Sequence, residues 1–334
     1  MLIPRTEYLN FLIDWKEQQI IKVITGIRRC GKSTLFELFQ EHLLSCGVAP
    51  EQIIAINFED VDNEPLCGYK ELYEHVKSRM LPGKMNYIFL DEIQHVAHYE
   101  KAVDSLFLQK NADVYITGSN AYFMSGELAT LLSGRYVELK MLPLSFAEYV
   151  SAFPDTMNRE ELYRRYVYNS SFPYTVELKS RKQVHTYLDG LYNTVVLNDI
   201  VERRRVQNPA MLKSVIRFLF DNIGNTCSAK RIADAMTSAG RKIASRTVEN
   251  YLEGITDSLL MYRVSRFDIK GKEYLRLLDK YYLADIGLRY YLLGTRNVDQ
   301  GHILENVVFL ELLRRGYQVY IGKAGSAEVD FVAQ

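Results

Sequence analysis

The feature that most constrains this chain is the stretch Gly26-Ile27-Arg28-Arg29-Cys30-Gly31-Lys32-Ser33-Thr34. It follows a β-branched run over 20–25 and precedes apolar positions at helical spacing over 35–44, with Cys46-Gly47 as the stop. A G-x-x-x-x-G-K-[ST] pattern between a buried strand and a helix start is the setting in which that pattern holds phosphate. Gly26 and Gly31 let the backbone turn tightly around an anion, and the N–H groups of Arg28, Arg29, Cys30, Gly31, Lys32 and Ser33 point inward. The helix N-terminus adds partial positive charge. Lys32 is expected to reach the β- and γ-phosphates, Ser33 to hold Mg²⁺, and Thr34 to face the α-phosphate.

A second apolar run, 87–90, ends in Asp91-Glu92, as a buried strand does when it delivers two carboxylates at its C-terminal end. Asp91 is expected to bind Mg²⁺ through water, and Glu92 to polarise an attacking water. A third run, 114–117, ends in Gly118-Ser119-Asn120, and Asn120 is expected to orient that water. Glu59-Asp60, closing the run 53–58, meet the same edge of such a sheet. His95 and His98 lack a nearby third ligand and read as a helix-surface pair, and Arg5 is open between adenine and solvent. The cofactors these residues imply are ATP and Mg²⁺.

Strand patterns at 20–25, 53–58, 87–90, 114–117 and 136–139 alternate with helical patterns, one of them at 121–131. That alternation predicts an α/β fold with a parallel P-loop sheet covered on both faces. The 114–117 strand is expected between the P-loop strand and the Asp91-Glu92 strand, since it must carry Asn120 into the site. At 334 residues the chain is long enough for two or three domains with real cores. We divide it into a P-loop NTPase core (1–142), a helical lid (143–208), a winged helix-turn-helix (209–283) and a partial nuclease-like segment (284–334).

The formal net charge is zero, but Lys and Arg number 14 against 20 acids in 1–150 and 13 against 8 in 209–283. That asymmetry permits a polyanion partner at the second region. The four cysteines lack metal spacing and suit a reducing compartment. No signal-peptide pattern and no bilayer-length apolar run is present, so the expectation is a cytoplasmic protein without a membrane partner.

The motifs Gly-Ile-Arg-Arg-Cys-Gly-Lys-Ser, Leu-Asp-Glu-Ile, Thr-Gly-Ser-Asn and Ser-Gly-Arg-Tyr-Val-Glu-Leu-Lys-Met-Leu-Pro-Leu-Ser-Phe-Ala-Glu-Tyr resemble the prokaryotic AAA+-superfamily P-loop ATPases of the AAA_14 type. The C-terminal half of those proteins is a domain of unknown function (DUF4143). The resemblance covers essentially the whole chain. It implies that 26–33 is Walker A, that Asp91-Glu92 is Walker B with its catalytic glutamate, and that Asn120 is sensor 1. Arg135 matches the arginine of the family's Ser-Gly-Arg element, which leaves it open between a finger across a subunit boundary, a role that accelerates hydrolysis in other NTPases, and a structural cap or pair before the strand. No sensor-2 arginine stands out in the following helices, which leaves the oligomer open.

In the second half, helical patterns at 212–223, 228–237 and 245–260 precede two strand patterns, 261–266 and 274–278, around Lys270-Gly271-Lys272. Three helices and a hairpin make a winged helix. Arg241, Lys242, Arg246 and Asn250 would begin its recognition helix, capped by Ser245, and Lys270 and Lys272 would tip the wing on double-stranded DNA. A winged helix that docks a protein is the alternative. The last segment is similar to the first half of a PD-(D/E)xK nuclease core, with Glu305 in a helix and Asp330 on a strand, and without the acid-x-Lys that would complete a metal site. The function expected is Mg-dependent ATP binding and hydrolysis coupled to the winged helix. The alternative is a slow-hydrolysing nucleotide switch that docks a protein.

Overall fold

The computed structural model describes residues 3–119, 132, 134–268, 273–295, 300–324 and 327–334. Asn120, Lys270, Lys272 and the expected helix over 121–131 lie outside the described residues. The described chain divides into two compact units at Met141/Leu142.

In the first unit, five strands form one parallel sheet: β1 (Ile21–Thr25), β2 (Ile53–Asn57), β3 (Asn86–Asp91), β4 (Ala112–Gly118) and β5 (Tyr136–Lys140). Their spatial order is β2-β3-β4-β1-β5. Strand β4 lies between the P-loop strand and the Asp91-Glu92 strand, as its polar C-terminal end had suggested. Every residue of β1, β3 and β4 is buried, which is what near-continuous apolar runs require when helices cover both faces. The helices are α1 (Thr6–Asp14), α2 (Lys32–Ser45), α3 (Tyr69–Arg79) and α4 (Tyr99–Phe107).

The two faces are packed differently. On one, Val23, Ile56, Ile88, Leu90 and Ile116 meet Leu72 and Val76 of α3 and Val103 and Leu106 of α4. On the other, Phe36 and Phe39 of α2 close over Phe89 and Tyr115, whose rings stack at 4.9 Å. Aromatic pairs in such offset and edge contacts add about 0.5–1.5 kcal/mol each beyond their area. This second packing holds α2, and with it the phosphate loop, against the sheet.

The second unit begins with α5 (Phe146–Ser151), α6 (Arg159–Asn169) and α7 (Arg181–Thr194), which runs on into π-helical turns at Val195–Glu202. Gly254 lets these wider turns approach, since a Cβ there would sit 3.0 Å from Ile200. Helices α8 (Pro209–Asp221), α9 (Ala229–Ser238) and α10 (Ser245–Asp257) follow, and then β6 (Met261–Asp268) and β7 (Glu273–Leu283). Ser228 caps α9 through the Arg231 N–H at 3.2 Å. Ser245 does not cap α10: the N-cap position is Ala244, and Ser245 is already helical. A short helix that the sequence reading lacked, α11 (Ile286–Leu293), is capped by Asp285, whose other oxygen accepts from the Ser171 N–H and hydroxyl at 2.7 Å. The chain ends in α12 (Gln300–Arg314), β8 (Val319–Ala324) and β9 (Ala327–Ala333).

These strands form a single sheet of order β7-β6-β8-β9, in which β6 pairs antiparallel with β7 and parallel with β8. Tyr282, Phe309 and Phe331 stack beneath it, with Val264, Leu310 and Ile321 around them.

Candidate functional site

The phosphate loop leaves the C-terminal end of β1 and enters α2 through Gly31, whose φ of 107° is left-handed backbone that favours glycine. Gly26 is required for a different reason. A Cβ there would collide with the Met141 carbonyl and sit 2.7 Å from Cys30 Sγ. Arg29 also has positive φ, at 66°, so the loop is held in a conformation that its surroundings impose. One support is Arg5: its buried guanidinium donates to the Cys30 carbonyl at 2.9 Å and lies over the Tyr8 ring. Arg5 thus braces the loop from outside.

Strand β3 ends alongside this loop. Lys32 Nζ lies 3.2 Å from Glu92 Oε1 and donates to the Gly26 carbonyl at 3.2 Å, with both side chains buried. Asp91 accepts a hydrogen bond from the hydroxyl of Thr117. The same Thr117 Oγ1 accepts from the Glu92 N–H at 2.8 Å. Glu92 has φ 52° and ψ 46°, unusual for a side chain without a local hydrogen-bonding role, so Thr117 helps to pin a strained backbone. The amide nitrogen of Gln94 donates to Glu92 Oε2 and to Ser119 Oγ.

Electrostatics divide the two acids. Burial raises the Asp91 carboxyl above its ordinary value, against the hydroxyls of Ser33 and Thr117. Burial also pushes Glu92 up, but the Lys32 charge and the Gln94 and Lys32 hydrogen bonds hold it below the usual carboxylate value. For Lys32, burial is outweighed by the Cys30 and Glu92 sites, and its ammonium lies above the ordinary lysine value. Burial pushes the Cys30 thiol up, so at neutral pH it is uncharged and Glu92 is the counter-ion that matters. The result is a charged lysine and a charged glutamate beside a carboxyl that a cation would ionise fully.

The other sequence-derived residues fall as follows. Ser33 is exposed and Thr34 half-buried in the first turn of α2. Arg28 is half-buried and pairs with Glu59 at 3.3 Å, and Arg29 is exposed. His95 lies on a single turn, Ile93–His95, where its ring comes within 4.8 Å of the carboxylates of Glu59 and Glu92. With Arg28 and Lys32 already pairing those acids, this is an ion-pair network rather than a vacant cation site. His98 stands apart from it, 3.6 Å from Glu100 at the start of α4.

Arg135 sits elsewhere. Tyr136 pairs in register with Ile21, so Arg135 lies at the N-terminal edge of the sheet, opposite the phosphate loop. A five-residue strand spans roughly 15 Å, beyond the reach of an arginine to its own chain's site. Here Arg135 pairs with Asp104 and lies over Phe107.

In the second unit, Arg241, Lys242, Arg246 and Asn250 are exposed in and after the turn before α10, and Arg241 donates to Ser214. Glu305 accepts from Lys280 at 2.9 Å and from the Tyr282 hydroxyl at 2.6 Å, and Lys280 also meets Glu328 at 2.6 Å. Burial works against the Lys280 charge, but Glu328 and Glu305 hold it above the ordinary lysine value. Asp330 is exposed on β9. The Lys280 ammonium therefore answers Glu305 and Glu328.

Sequence reasoning missed Thr117, Gln94 and the bracing role of Arg5. A polar residue closing an otherwise apolar buried run was the available signal for Thr117.

An Mg²⁺-bound triphosphate fits the residues present. The loop offers a buried lysine and a serine hydroxyl, and β3 adds the Asp91 carboxylate; hydroxyl and carboxylate oxygens are the donors such an ion takes. Among the described residues, no helix is long and apolar enough to cross a membrane.

Residues 18–150 match the model of an AAA domain, and residues 160–299 match a domain of unknown function, DUF8612. That second match corrects the resemblance to DUF4143. An uncharacterized protein of Haemophilus influenzae is 40% identical over 337 residues, covering 100% of this chain and 84% of its own. The uncharacterized protein MJ1544 of Methanocaldococcus jannaschii is 31% identical over 331 residues, covering 93% of this chain and 71% of its own. Among solved structures, a Walker-type ATPase of Pyrococcus abyssi, PABY2304, shares the fold with a TM-score of 0.58 at 16% identity, over 87% of this chain and 95% of that one.

Proposed function

The chain belongs to the AAA-domain family of P-loop ATPases, and from that premise we propose that it binds ATP with Mg²⁺ and hydrolyses it, coupling turnover to the winged-helix region of its second unit. The observation that carries this reading is the meeting of Lys32, Asp91 and Glu92 at one sheet edge beside the phosphate loop, with Lys32 3.2 Å from Glu92 and Asp91 bonded to Thr117. The loop N–H groups and Lys32 bind and orient the phosphates. Ser33 and Asp91 would hold Mg²⁺, which when bound neutralises charge on the β- and γ-phosphates. Glu92 accepts a proton from the attacking water, and Asn120 orients that water. Arg135, held at the far edge of the sheet, acts only on a neighbouring copy's site.

The exposed Arg241, Lys242 and Arg246 support duplex DNA as the partner of residues 209–283, with Lys270 and Lys272 on the wing. Glu305 and Asp330 are proposed as nuclease-like positions, with Glu305 bonded to Lys280. The protein is proposed to be cytoplasmic.

A second reading, a slow nucleotide switch that docks a protein, is favoured by one observation: both oxygens of Glu92 are already engaged. Single-turnover hydrolysis by Glu92→Gln separates the two. A hydrolase loses turnover and keeps affinity, whereas a switch has little turnover to lose. ATPase assays with and without duplex DNA across a salt series test the partner, because contacts with phosphates weaken as salt rises. Stimulation that ignores salt would set DNA aside.

A further inference from the structure

Gln94 stands two residues beyond Glu92, on the turn Ile93–His95 that leaves β3. Its amide nitrogen donates to Glu92 Oε2 and, at 3.4 Å, to Ser119 Oγ just past the end of β4. The other oxygen of Glu92 faces Lys32 at 3.2 Å. The two oxygens thus have holders of different kinds. One is a cation that a triphosphate will claim; the other is a neutral amide that it will not.

We infer that Gln94 is the positioning residue of Glu92: it keeps the carboxylate fixed while Lys32 turns to phosphate, and it ties that carboxylate to the tip of β4. The inference rests on the reading of Glu92 as the group that takes the proton from water. Three observations support it. Only the amide nitrogen can donate to a carboxylate, so the orientation of Gln94 is set by Glu92 itself. That orientation leaves Gln94 Oε1 buried and without a hydrogen bond from the chain. A residue placed only for packing would avoid such an orphan by being Leu or Met. Finally, the backbone of Glu92 is in the left-handed region, so its side chain is aimed by what surrounds it and not by a relaxed strand.

Once Lys32 moves to the phosphates, Gln94 still bonds Glu92. A carboxylate released at that moment would rotate, and misplacement by about 1 Å can cost on the order of a hundredfold in rate.

The test is a double-mutant cycle in the full chain with Gln94→Met, Glu92→Gln and the pair. It is read by single-turnover ATP hydrolysis, by affinity for a fluorescent non-hydrolysable ATP analogue, and by the melting temperature of the nucleotide-free protein. Gln94→Met should slow turnover roughly 10–100-fold while analogue affinity stays within about threefold, separating kcat from binding. It should also lower the melting temperature by about 2–4 °C, because a buried carboxylate loses its donor. In the Glu92→Gln background neither quantity should fall further, since the two residues act as one unit. Equal losses in both backgrounds, or unchanged turnover in Gln94→Met, would overturn the inference. Should Gln94→Met fail to fold, the isosteric Gln94→Glu replaces it and must show the same turnover loss at retained affinity. Unimpaired turnover in Glu92→Gln alone would instead sink the reading of Glu92, and the two failures remain distinct.

Discussion

The first unit contains two buried lysine–carboxylate pairs at opposite edges of one sheet, and they are built to different ends. At the N-terminal edge, Lys22 and Asp113 are almost wholly excluded from solvent, with side chains 0% and 1% exposed. Lys22 also donates to the Gln18 carbonyl, and Asp113 accepts from the Tyr115 hydroxyl and the Glu17 N–H at 2.7 and 2.8 Å. Burial lowers the Lys22 ammonium, against the charge and hydrogen bond of Asp113. At the C-terminal edge, Lys32 and Glu92 meet at 3.2 Å among backbone with three left-handed residues, Arg29, Gly31 and Glu92. The first pair has every partner it can use and sits on relaxed strand. The second is a loose contact on strained backbone, which a ligand can replace. Two pairs of the same chemistry are thus told apart by what surrounds them.

The comparison breaks most visibly at the first pair. Lys22→Met strands a buried carboxylate and should destabilise the first unit by roughly 3–5 kcal/mol, read as a lowered denaturant midpoint, and adding Asp113→Leu should restore part of the loss. A small effect would mean that the two edges are not built differently. Next in size, Glu92→Gln should leave the fold intact and cut single-turnover hydrolysis by about 10²–10³-fold, or some 3–4 kcal/mol. Comparable destabilisation in both variants would erase the contrast.

Arg5→Met tests the bracing of the loop. Losing a charged hydrogen bond to the Cys30 carbonyl should weaken ATP affinity by about 1.5–3 kcal/mol, seen by titration calorimetry, with less effect on turnover of bound nucleotide. Equal loss in both would place Arg5 at the chemistry. The smallest effect is pH-dependent. The carboxyl of Glu92 lies below its ordinary value near 4.5, so its contribution to stability is complete above that value and is lost as pH falls through the folded value. The wild-type protein should melt above Glu92→Gln at neutral pH, and the two curves should converge as pH falls below 4.5. Curves that stay parallel would show that Lys32 does not favour the charged form.

The phosphate loop, the two acids and the place of β4 were legible because each is local: glycines fix a turn, apolar runs fix buried strands, and the residues after a run fix the edge it reaches. Thr117, Gln94 and Arg5 were not, because Asp91, Ser119 and Cys30, to which they reach, lie 26, 25 and 25 positions away and only the fold sets their directions. The lysine beside Glu305 was hidden for a related reason. Lys280 belongs to a strand of the hairpin, and its meeting with α12 depends on a parallel pairing, β6 with β8, that no short-range pattern announces. Helix α11 escaped because its core residues Ile286, Gly287, Leu288, Arg289 and Tyr290 are buried consecutively, which removes the periodic stripe that marks a surface helix.

That parallel pairing has a mechanical consequence. Strand β6 is bonded along one side to β7 and along the other to β8, so neither neighbour can peel away without shearing a ladder of backbone bonds. Arg266, Phe267 and Asp268 each pair across both seams, Arg266 with Leu275 on one side and Ile321 on the other. A pull on β7 is therefore passed through β6 to β8 and on to β9, so the strands of the hairpin and those of the final segment belong to one sheet and not to two modules on a tether.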